Sequence, residues 1–211
     1  LCLSVLGKRP DGYHEVEMLM QAVGLYDEVT VRLTGSGITV TCDNAAVPVG
    51  AGNIAYRAAR EMLDLAGRPF GIAMDIKKTI PVAAGLGGGS SNAAAVLVAC
   101  NRLLGTRLGR EQLAEIGTRL GMDVPFFLYG PTALARGRGE VLTSLPPPHK
   151  FWVLLVNPGF ETSTAWAYKN LNFGLTKKGD CTNIAGLNVS QIAGSLHNDL
   201  ETVTAAAHPA I

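Results

Sequence analysis

The sequence predicts an α+β fold, in which a mixed sheet packs against helices. Apolar residues alternate with polar ones over 27–33 and 37–42, the period of half-buried strands. Two later segments, 54–65 and 92–104, carry apolar residues at helical spacing or in a run too long for a strand. These patterns indicate an antiparallel, hairpin-rich first half into which helices are then added.

Residues 7–14, Gly-Lys-Arg-Pro-Asp-Gly-Tyr-His, form a predicted turn between two strands, 1–6 and 16–23. The Pro-Asp-Gly order within this segment is typical of a tight turn, and an ordinary exposed hairpin turn would be enough to explain it. Its unusual feature is that Tyr13 and His14 come directly after the turn glycine.

Asn53 is predicted to cap a helix that ends at Gly67. One face of this helix is apolar, at Ile54, Ala58, Met62 and Leu65. A second short helix is predicted over 110–120, with Gly121 as its stop.

A glycine-rich segment separates a predicted strand, 71–77, from a predicted buried helix, 92–104. Amides in the first turn of a helix have no intrahelical partner, and the helix dipole adds positive potential there. Glycines let the backbone come close to a ligand, and serines add hydroxyl groups. We therefore predict a phosphate cradle. It is formed by Pro81, Val82, Ala83, Ala84, Gly85, Leu86, Gly87, Gly88, Gly89, Ser90 and Ser91.

The spacing of these glycines excludes two familiar nucleotide motifs. The segment has no Walker A lysine, because Gly-Gly-Ser-Ser stands where Gly-Lys-Ser/Thr would be required. It also lacks the Gly-x-Gly-x-x-Gly order of a dinucleotide fold. The alternative interpretation is a tight strand-to-helix connection with no ligand.

Asp123 lies in the sequence Gly-Met-Asp-Val-Pro-Phe, directly after a predicted helix. The proline disfavours helical geometry at Val124 and so fixes the exit of the chain. Two roles are open for Asp123: a cap for the following segment, or a carboxylate at the rim of the core that accepts a proton.

A proline-rich segment, 145–150, predicts a boundary between two domains, 1–147 and 148–211. The second domain is expected to be the smaller one, of α+β type and incomplete. It should open with a buried strand within 151–159, ended by Pro158-Gly159.

Three further elements are predicted around this boundary. Residues 133–143 form a glycine-punctuated hairpin, residues 164–171 a helix that carries Tyr168, and residues 189–204 a further helix.

The composition is that of a globular chain with a substantial core, with 47% apolar and 17% charged residues. A formal net charge of +1 gives no strong attraction to nucleic acid or an anionic membrane. No apolar stretch approaches the roughly 20 residues of a membrane span. We therefore expect neither partner. Because the chain begins inside a predicted strand without a methionine, we also expect truncation at both ends.

The four cysteines, Cys2, Cys42, Cys100 and Cys181, are scattered and form no Cys-x-x-Cys pair. Such scatter favours four separate thiols over a disulfide or metal framework. It therefore indicates a cytoplasmic protein.

Three motifs together resemble the signatures of one enzyme family: residues 7–14, residues 81–94, and Gly-Met-Asp-Val-Pro-Phe at 121–126. The glycine-rich motif is similar to the ATP-binding signature of the GHMP small-molecule kinases. The Asp-Gly-Tyr-His element separates 4-diphosphocytidyl-2-C-methyl-D-erythritol kinases from the mevalonate, homoserine and galactose kinases of that superfamily. The resemblance is therefore to this family and to its GHMP kinase fold.

The resemblance implies ATP-dependent phosphorylation of the 2-hydroxyl of 4-diphosphocytidyl-2-C-methyl-D-erythritol in the non-mevalonate isoprenoid route, with Mg²⁺ as a further cofactor. By this resemblance residues 81–91 wrap the ATP phosphates, Asn53 lies near the adenine, and Asp123 is the catalytic carboxylate. The N-terminal domain binds ATP and the C-terminal domain contributes to the substrate site. The metal ligands are left open. We expect a monomer or a weak dimer.

The resemblance also implies which residues hold the cytidyl group. Tyr13 and His14 contact the cytosine, and Tyr168 stands in the place of an aromatic residue that covers the other face of the ring. An aromatic pair suits a flat base, and a histidine can read its hydrogen-bonding edge.

Two features of the family lie outside this sequence: a catalytic lysine in the first strand, upstream of the position that Leu1 matches, and a glycine-rich motif near the C-terminus. Two alternative functions therefore stay open. One is a GHMP kinase for another small alcohol, and the other is a catalytically impaired relative that only binds nucleotide.

Overall fold

The computed structural model describes residues 1–67, 69–159, 162–171, 181 and 188–209. The strands are β1 (Cys2–Lys8), β2 (His14–Gln21), β3 (Glu28–Thr34), β4 (Ile38–Cys42), β5 (Gly71–Lys77), β6 (Thr132–Gly137), β7 (Val141–Ser144) and β8 (His197–Asn198). The helices are α1 (Ile54–Ala66), α2 (Gly88–Leu103), α3 (Arg110–Leu120), α4 (Phe126–Tyr129), α5 (Thr164–Asn170), α6 (Val189–Gly194) and α7 (Glu201–Ala207). Within the described ranges, no helix is long and apolar enough to cross a membrane.

The chain divides into two compact units. The first consists of Leu1–Val23 and Gly130–Ile211, and the second of Gly24–Tyr129. The sequence predicts a boundary between two domains at residues 147 and 148. These domains are not the two compact units described here, and the boundary stays a prediction.

The first unit contains a five-stranded sheet in the order β7-β6-β2-β1-β8. β1 and β2 form the predicted antiparallel hairpin, with Val5 opposite Val16, and a bulge interrupts the register between Val5 and Gly7. β6 and β7 form the predicted glycine-punctuated hairpin. β8 pairs with β1 in parallel.

A buried carboxylate ties β8 to the sheet. The Oδ2 of Asp199 accepts a hydrogen bond of 2.7 Å from the Val5 amide, and its Oδ1 lies 2.7 Å from Nε2 of His197. The Asp199 side chain is almost fully buried, so these bonds satisfy a group that would be costly to leave without a partner.

The prediction of four free thiols is wrong for one pair. Cys2 and Cys181 form a disulfide, with Cα atoms 5.8 Å apart, although 179 positions separate them in the sequence. Their proximity depends on how distant segments pack onto β1, which the spacing of cysteines does not reveal. Cys42 and Cys100 are free thiols, and burial raises the pKa of Cys100 to about 12.

Two predicted elements of the C-terminal region are also wrong. Residues 151–156 form no strand and are mostly exposed, because no strand in the described part of the chain pairs with them. The helix predicted over 189–204 is broken into α6 and α7, with β8 between them. By contrast α5 matches its prediction to within one residue.

The second unit contains a three-stranded sheet in the order β3-β5-β4. β5 is antiparallel to β3 and parallel to β4, so this part of the chain departs from the antiparallel, hairpin-rich arrangement that the sequence predicts. The turn between β3 and β4 resembles a hairpin turn, but β5 lies between the two strands. The buried side chains Ile72, Met74 and Ile76 explain this central position.

Helices α1 and α2 pack against this sheet, α3 packs against both of them, and together they form the main core. α1 begins at its predicted cap, where Oδ1 of Asn53 accepts from the Ala55 amide at 2.8 Å, and Gly67 ends it in the left-handed conformation. α2 buries one apolar face and begins at Gly88, four residues earlier than predicted. The fully buried side chains at the centre are Met62, Ile72, Ile76, Val96, Leu97 and Cys100.

Candidate active site

The glycine-rich segment lines a cleft of about 380 Å³ in the second unit. Its walls come from residues 46–48, from the start of α1, from the chain that follows β5, and from the first turn of α2. The predicted nucleotide residues on this wall are Asn53, Pro81, Val82, Ala83, Ala84, Gly85, Leu86, Gly87, Gly88, Gly89 and Ser90. A volume of this size falls within the range of small-molecule sites.

The first turn of α2 supplies the donors of this cleft. The first intrahelical hydrogen bond runs from the Ser91 amide to the Gly87 carbonyl at 2.8 Å, so the amides of Gly88, Gly89 and Ser90 have no intrahelical acceptor. α2 has 16 residues and no acidic side chain in its first turn. The positive end of its dipole is therefore not neutralised locally, as an anion site requires.

Two glycines at the start of α2 occupy positions that a larger residue would disturb. Gly87 has φ of +68°, and a Cβ there would lie 3.0 Å from the Phe127 ring. A Cβ on Gly88 would lie 3.0 Å from Ile80 and 3.1 Å from Nζ of Lys78. At Gly87 the left-handed conformation and the close packing both favour glycine, and at Gly88 the close packing does.

The two predicted serines differ in placement. Ser90 lies on the wall of the cleft. Ser91 does not line it, because its hydroxyl donates to the Gly88 carbonyl at 2.8 Å within the helix. Ser90 is therefore the hydroxyl that a ligand in the cleft can reach.

Asn53 lines the cleft, and its side chain connects the loop 46–48 to the start of α1. The Nδ2 of Asn53 donates to the Pro48 carbonyl at 2.7 Å, while its Oδ1 caps α1. The side chain is thus held between helix α1 and the loop 46–48, which also lines the cleft.

Asp123 lies in the turn between α3 and α4. Asp123 does not line the cleft, but its neighbours approach two residues that do: a Cβ on Gly121 would lie 3.2 Å from Ile54, and Phe127 of α4 lies against the Gly87 position. Asp123 reaches solvent, but the surrounding protein partly desolvates its carboxyl group and raises its pKa. In the part of the chain that the structure describes, no hydrogen bond to this carboxylate is seen, so the capping role has no support.

Tyr13, His14 and Tyr168 all belong to the first unit. The rings of His14 and Tyr168 stack with centroids 4.9 Å apart and planes at 20°. They are too close for a third ring to lie between them, so a base would have to contact another face or displace one ring. Burial and the charge of Lys8 lower the pKa of His14, which favours a neutral imidazole at pH 7.

Tyr13 is half exposed at the end of a tight turn. Its amide donates to Asp11 at 3.1 Å, and its carbonyl accepts from the Arg9 amide at 2.8 Å. The guanidinium carbon of Arg138 lies 5.0 Å from the centre of its ring, within cation–π distance. One ring face of Tyr13 therefore packs on Arg138.

Sequence reasoning missed two further parts of the cleft. Residues 46–48 and Lys78 belong to none of the motifs that the sequence indicates, yet both lie on its wall. The available signal for Lys78 was its position three residues before Pro81, at the entrance to the glycine-rich segment.

Comparison with known proteins agrees with this geometry. The family described as GHMP kinases N terminal domain matches residues 53–131. The 4-diphosphocytidyl-2-C-methyl-D-erythritol kinase of Pelobacter propionicus is 51% identical over 212 residues, which cover 99% of this chain and 75% of that protein. The kinase of the same name from Geobacter metallireducens is 49% identical over 210 residues, with the same coverage.

Solved structures lead to the same family. A crystal structure of 4-(cytidine 5'-diphospho)-2C-methyl-D-erythritol kinase is 34% identical, with a TM-score of 0.77, and the match covers 99% of this chain and 75% of that one. Homoserine kinase from Cytophaga hutchinsonii, at 22% identity, a TM-score of 0.56 and coverage of 87% and 57%, shares the fold. The predicted α+β GHMP kinase fold is thus confirmed. The chain is an ATP-using small-molecule kinase and belongs to the family of 4-diphosphocytidyl-2-C-methyl-D-erythritol kinases.

Proposed function

We propose that this chain transfers the γ-phosphoryl group of ATP to the 2-hydroxyl of 4-diphosphocytidyl-2-C-methyl-D-erythritol, a step of non-mevalonate isoprenoid synthesis. The observation that carries the proposal is the identity of about half of all residues, along nearly the whole chain, with kinases of that name. The cleft at the start of α2 supports it, because its free amides suit a nucleotide phosphate.

In this proposal the residues 81–90 bind the phosphates of ATP, and Asn53 with the loop 46–48 forms the part of the cleft for the adenine. Phosphoryl transfer depends mainly on positioning and on neutralising charge. The amides at the start of α2 position the phosphates, and the dipole of this helix helps to neutralise their charge.

Mg²⁺ is the further cofactor that we propose. Across the described ranges no group of three or more His, Cys, Asp or Glu side chains could hold a metal. Mg²⁺ in kinase sites is commonly bound through substrate phosphates, with only one or two protein ligands. Ser90, on the wall of the cleft, is the protein hydroxyl available to it. When bound, Mg²⁺ would neutralise phosphate charge.

Asp123 is the proposed proton acceptor for the attacking hydroxyl. Partial burial raises the pKa of this carboxyl above its ordinary value, which makes its ionised form a stronger base.

An assay of phosphate transfer from ATP to the cytidyl substrate, on a chain extended to the full length of its relatives, tests the proposal. Activity with mevalonate or homoserine but not with the cytidyl substrate would favour the other GHMP kinases. ATP binding without transfer to any of these alcohols would favour a nucleotide-binding relative. The cytoplasmic location and the monomeric or weakly dimeric state stay predictions.

The cytidyl contacts give a separate prediction. Tyr13→Ala and Tyr168→Ala are each expected to raise the KM for the cytidyl substrate about ten- to a hundredfold, because stacking a base on an aromatic ring contributes roughly 1–3 kcal/mol. His14→Ala should do the same and also weaken the preference for cytosine over uracil, since a neutral imidazole offers one donor and one acceptor. Steady-state kinetics with each nucleotide varied in turn measures these effects.

Tyr26→Ala is the matched control for these variants, since Tyr26 is exposed and lies in the second unit. We expect both KM values of this control to stay within about twofold of wild type, the range for a surface substitution. A rise in the KM for ATP, with the KM for the cytidyl substrate unchanged, would mean that the two nucleotides have been assigned to the wrong residues.

A further inference from the structure

Asp27 is a buried carboxylate at the entrance to the nucleotide cleft. Its Oδ2 accepts a hydrogen bond from Nζ of Lys78. Its Oδ1 accepts from the amides of Thr79 and Ile80, both at 2.8 Å. The side chains of Asp27 and Lys78 are 1% and 5% exposed, so this ion pair is shielded from solvent.

These three bonds hold the chain directly before the glycine-rich segment. Lys78 lines the cleft. Ile80 is buried, and both residues lie against Gly88, whose Cβ would come within 3.0–3.1 Å of them. Asp27 thus connects the start of β3 to the residues that pack under the first turn of α2.

The electrostatics keep this anchor ionised. Burial alone would raise the pKa of Asp27, but the hydrogen bonds from Lys78 and from the amides of Ile80 and Thr79, with the charge of Lys78, lower it below its ordinary value. Buried ion pairs add little net stability compared with apolar residues, and some are retained for conformational specificity. A pair at the edge of a ligand cleft fits that second role.

We propose that Asp27 is a positioning residue of the nucleotide site, which holds Lys78 and the backbone of 79–80 so that the glycine-rich segment keeps the conformation that accepts phosphates. The proposal deepens the proposed kinase function and rests on its ATP-binding part. It needs no assumption about the phosphate acceptor.

Two substitutions separate the parts of this anchor. In Asp27→Ala all three bonds are lost. In Asp27→Asn the amide oxygen can still accept from Thr79 and Ile80, but the charge is lost and an NH₂ group faces the Lys78 ammonium. We expect the Kd for ATP to rise at least about tenfold in Asp27→Ala and by less in Asp27→Asn, in line with the loss of charge-assisted hydrogen bonds. The KM for the cytidyl substrate should change less than twofold.

Two variants of the same unit serve as controls. Glu61→Gln removes one partner of the exposed pair with Arg119, whose charged atoms are 2.8 Å apart. Ile116→Val removes a methylene group from the buried face of α3 and lowers stability away from the cleft. Titration of ATP by calorimetry, at a temperature well below every thermal midpoint, compares all five proteins. Both controls should bind ATP within twofold of wild type.

A lower thermal midpoint in Asp27→Ala, with ATP affinity within twofold of wild type, would overturn the proposal and leave Asp27 a structural residue. If Asp27→Asn binds ATP as wild type does and Asp27→Ala binds it weakly, the loss of affinity is due to the hydrogen bonds from the Thr79 and Ile80 amides. That result would still support the proposal. If wild type binds ATP but does not phosphorylate the cytidyl substrate, the proposed function fails while the titrations still decide the role of Asp27. A wild-type chain that binds no ATP would overturn both.

Discussion

Asp123→Asn is expected to retain ATP binding and to lose at least about 100-fold in kcat, the scale of general-base catalysis. Asparagine has nearly the same shape as aspartate but cannot accept the proton of the attacking hydroxyl. Turnover of the cytidyl substrate and ATP titration measure the two properties separately. Asp64→Asn is the control, because it removes an exposed carboxylate of α1 that does not line the cleft.

The effect of Asp123→Asn on thermal stability is expected to depend on pH. Since burial raises the pKa of Asp123 in the folded chain, its contribution to stability is fully present below the unfolded pKa and is lost as the pH rises through the folded pKa. At neutral pH the ionised carboxylate therefore costs stability, and Asp123→Asn should melt no lower than wild type. This advantage should disappear as the pH falls below the ordinary aspartate range.

Thermal melts across pH 3 to 8 check this expectation. A marked loss of stability in Asp123→Asn at neutral pH, with near-normal turnover, would remove Asp123 from the mechanism and restore the capping role. The pH profile of kcat/KM gives an independent reading, because activity should fall as Asp123 becomes protonated at a pH above the usual aspartate range.

The parts of the site that the sequence predicted well are those built from neighbouring residues. Asn53 caps α1 because the cap and the helix it serves are adjacent in sequence. The glycine-rich segment lines the cleft because a strand, a turn and a helix follow each other directly there. Only the start of α2 differed, since Gly88 and Gly89 are poor helix formers that packing nevertheless holds in the first turn.

The features that the sequence did not reveal depend on contacts between distant segments. Asp27 and Lys78 are 51 positions apart, and nothing local indicates that they form an ion pair. The insertion of β5 between β3 and β4 depends on which apolar faces pack together, not on the turn between them. The apolar run 151–156 has a suitable sequence for a strand but forms none. A strand also needs a partner strand, which local sequence does not reveal.

Gly87→Val is expected to raise the Kd for ATP about a hundredfold or more, which corresponds to roughly 2.7 kcal/mol. An L-residue in the left-handed conformation is strained, and a branched side chain would also collide with Phe127. The backbone should relax away from φ of +68°, and the amides of Gly88 and Gly89 would then no longer point together at a phosphate. ATP titration, compared with thermal melts, measures the effect.

Gly105→Val is the matched control, because Gly105 lies just after the other end of α2 with φ of +67° and with no atom within 4 Å of its Cβ position. Both substitutions impose similar backbone strain on the same helix, so both should lower the thermal midpoint by a few degrees. Only Gly87→Val should weaken ATP binding. Equal losses of stability in the two variants, with ATP affinity unchanged in both, would mean that Gly87 serves the packing of α2 and not a nucleotide.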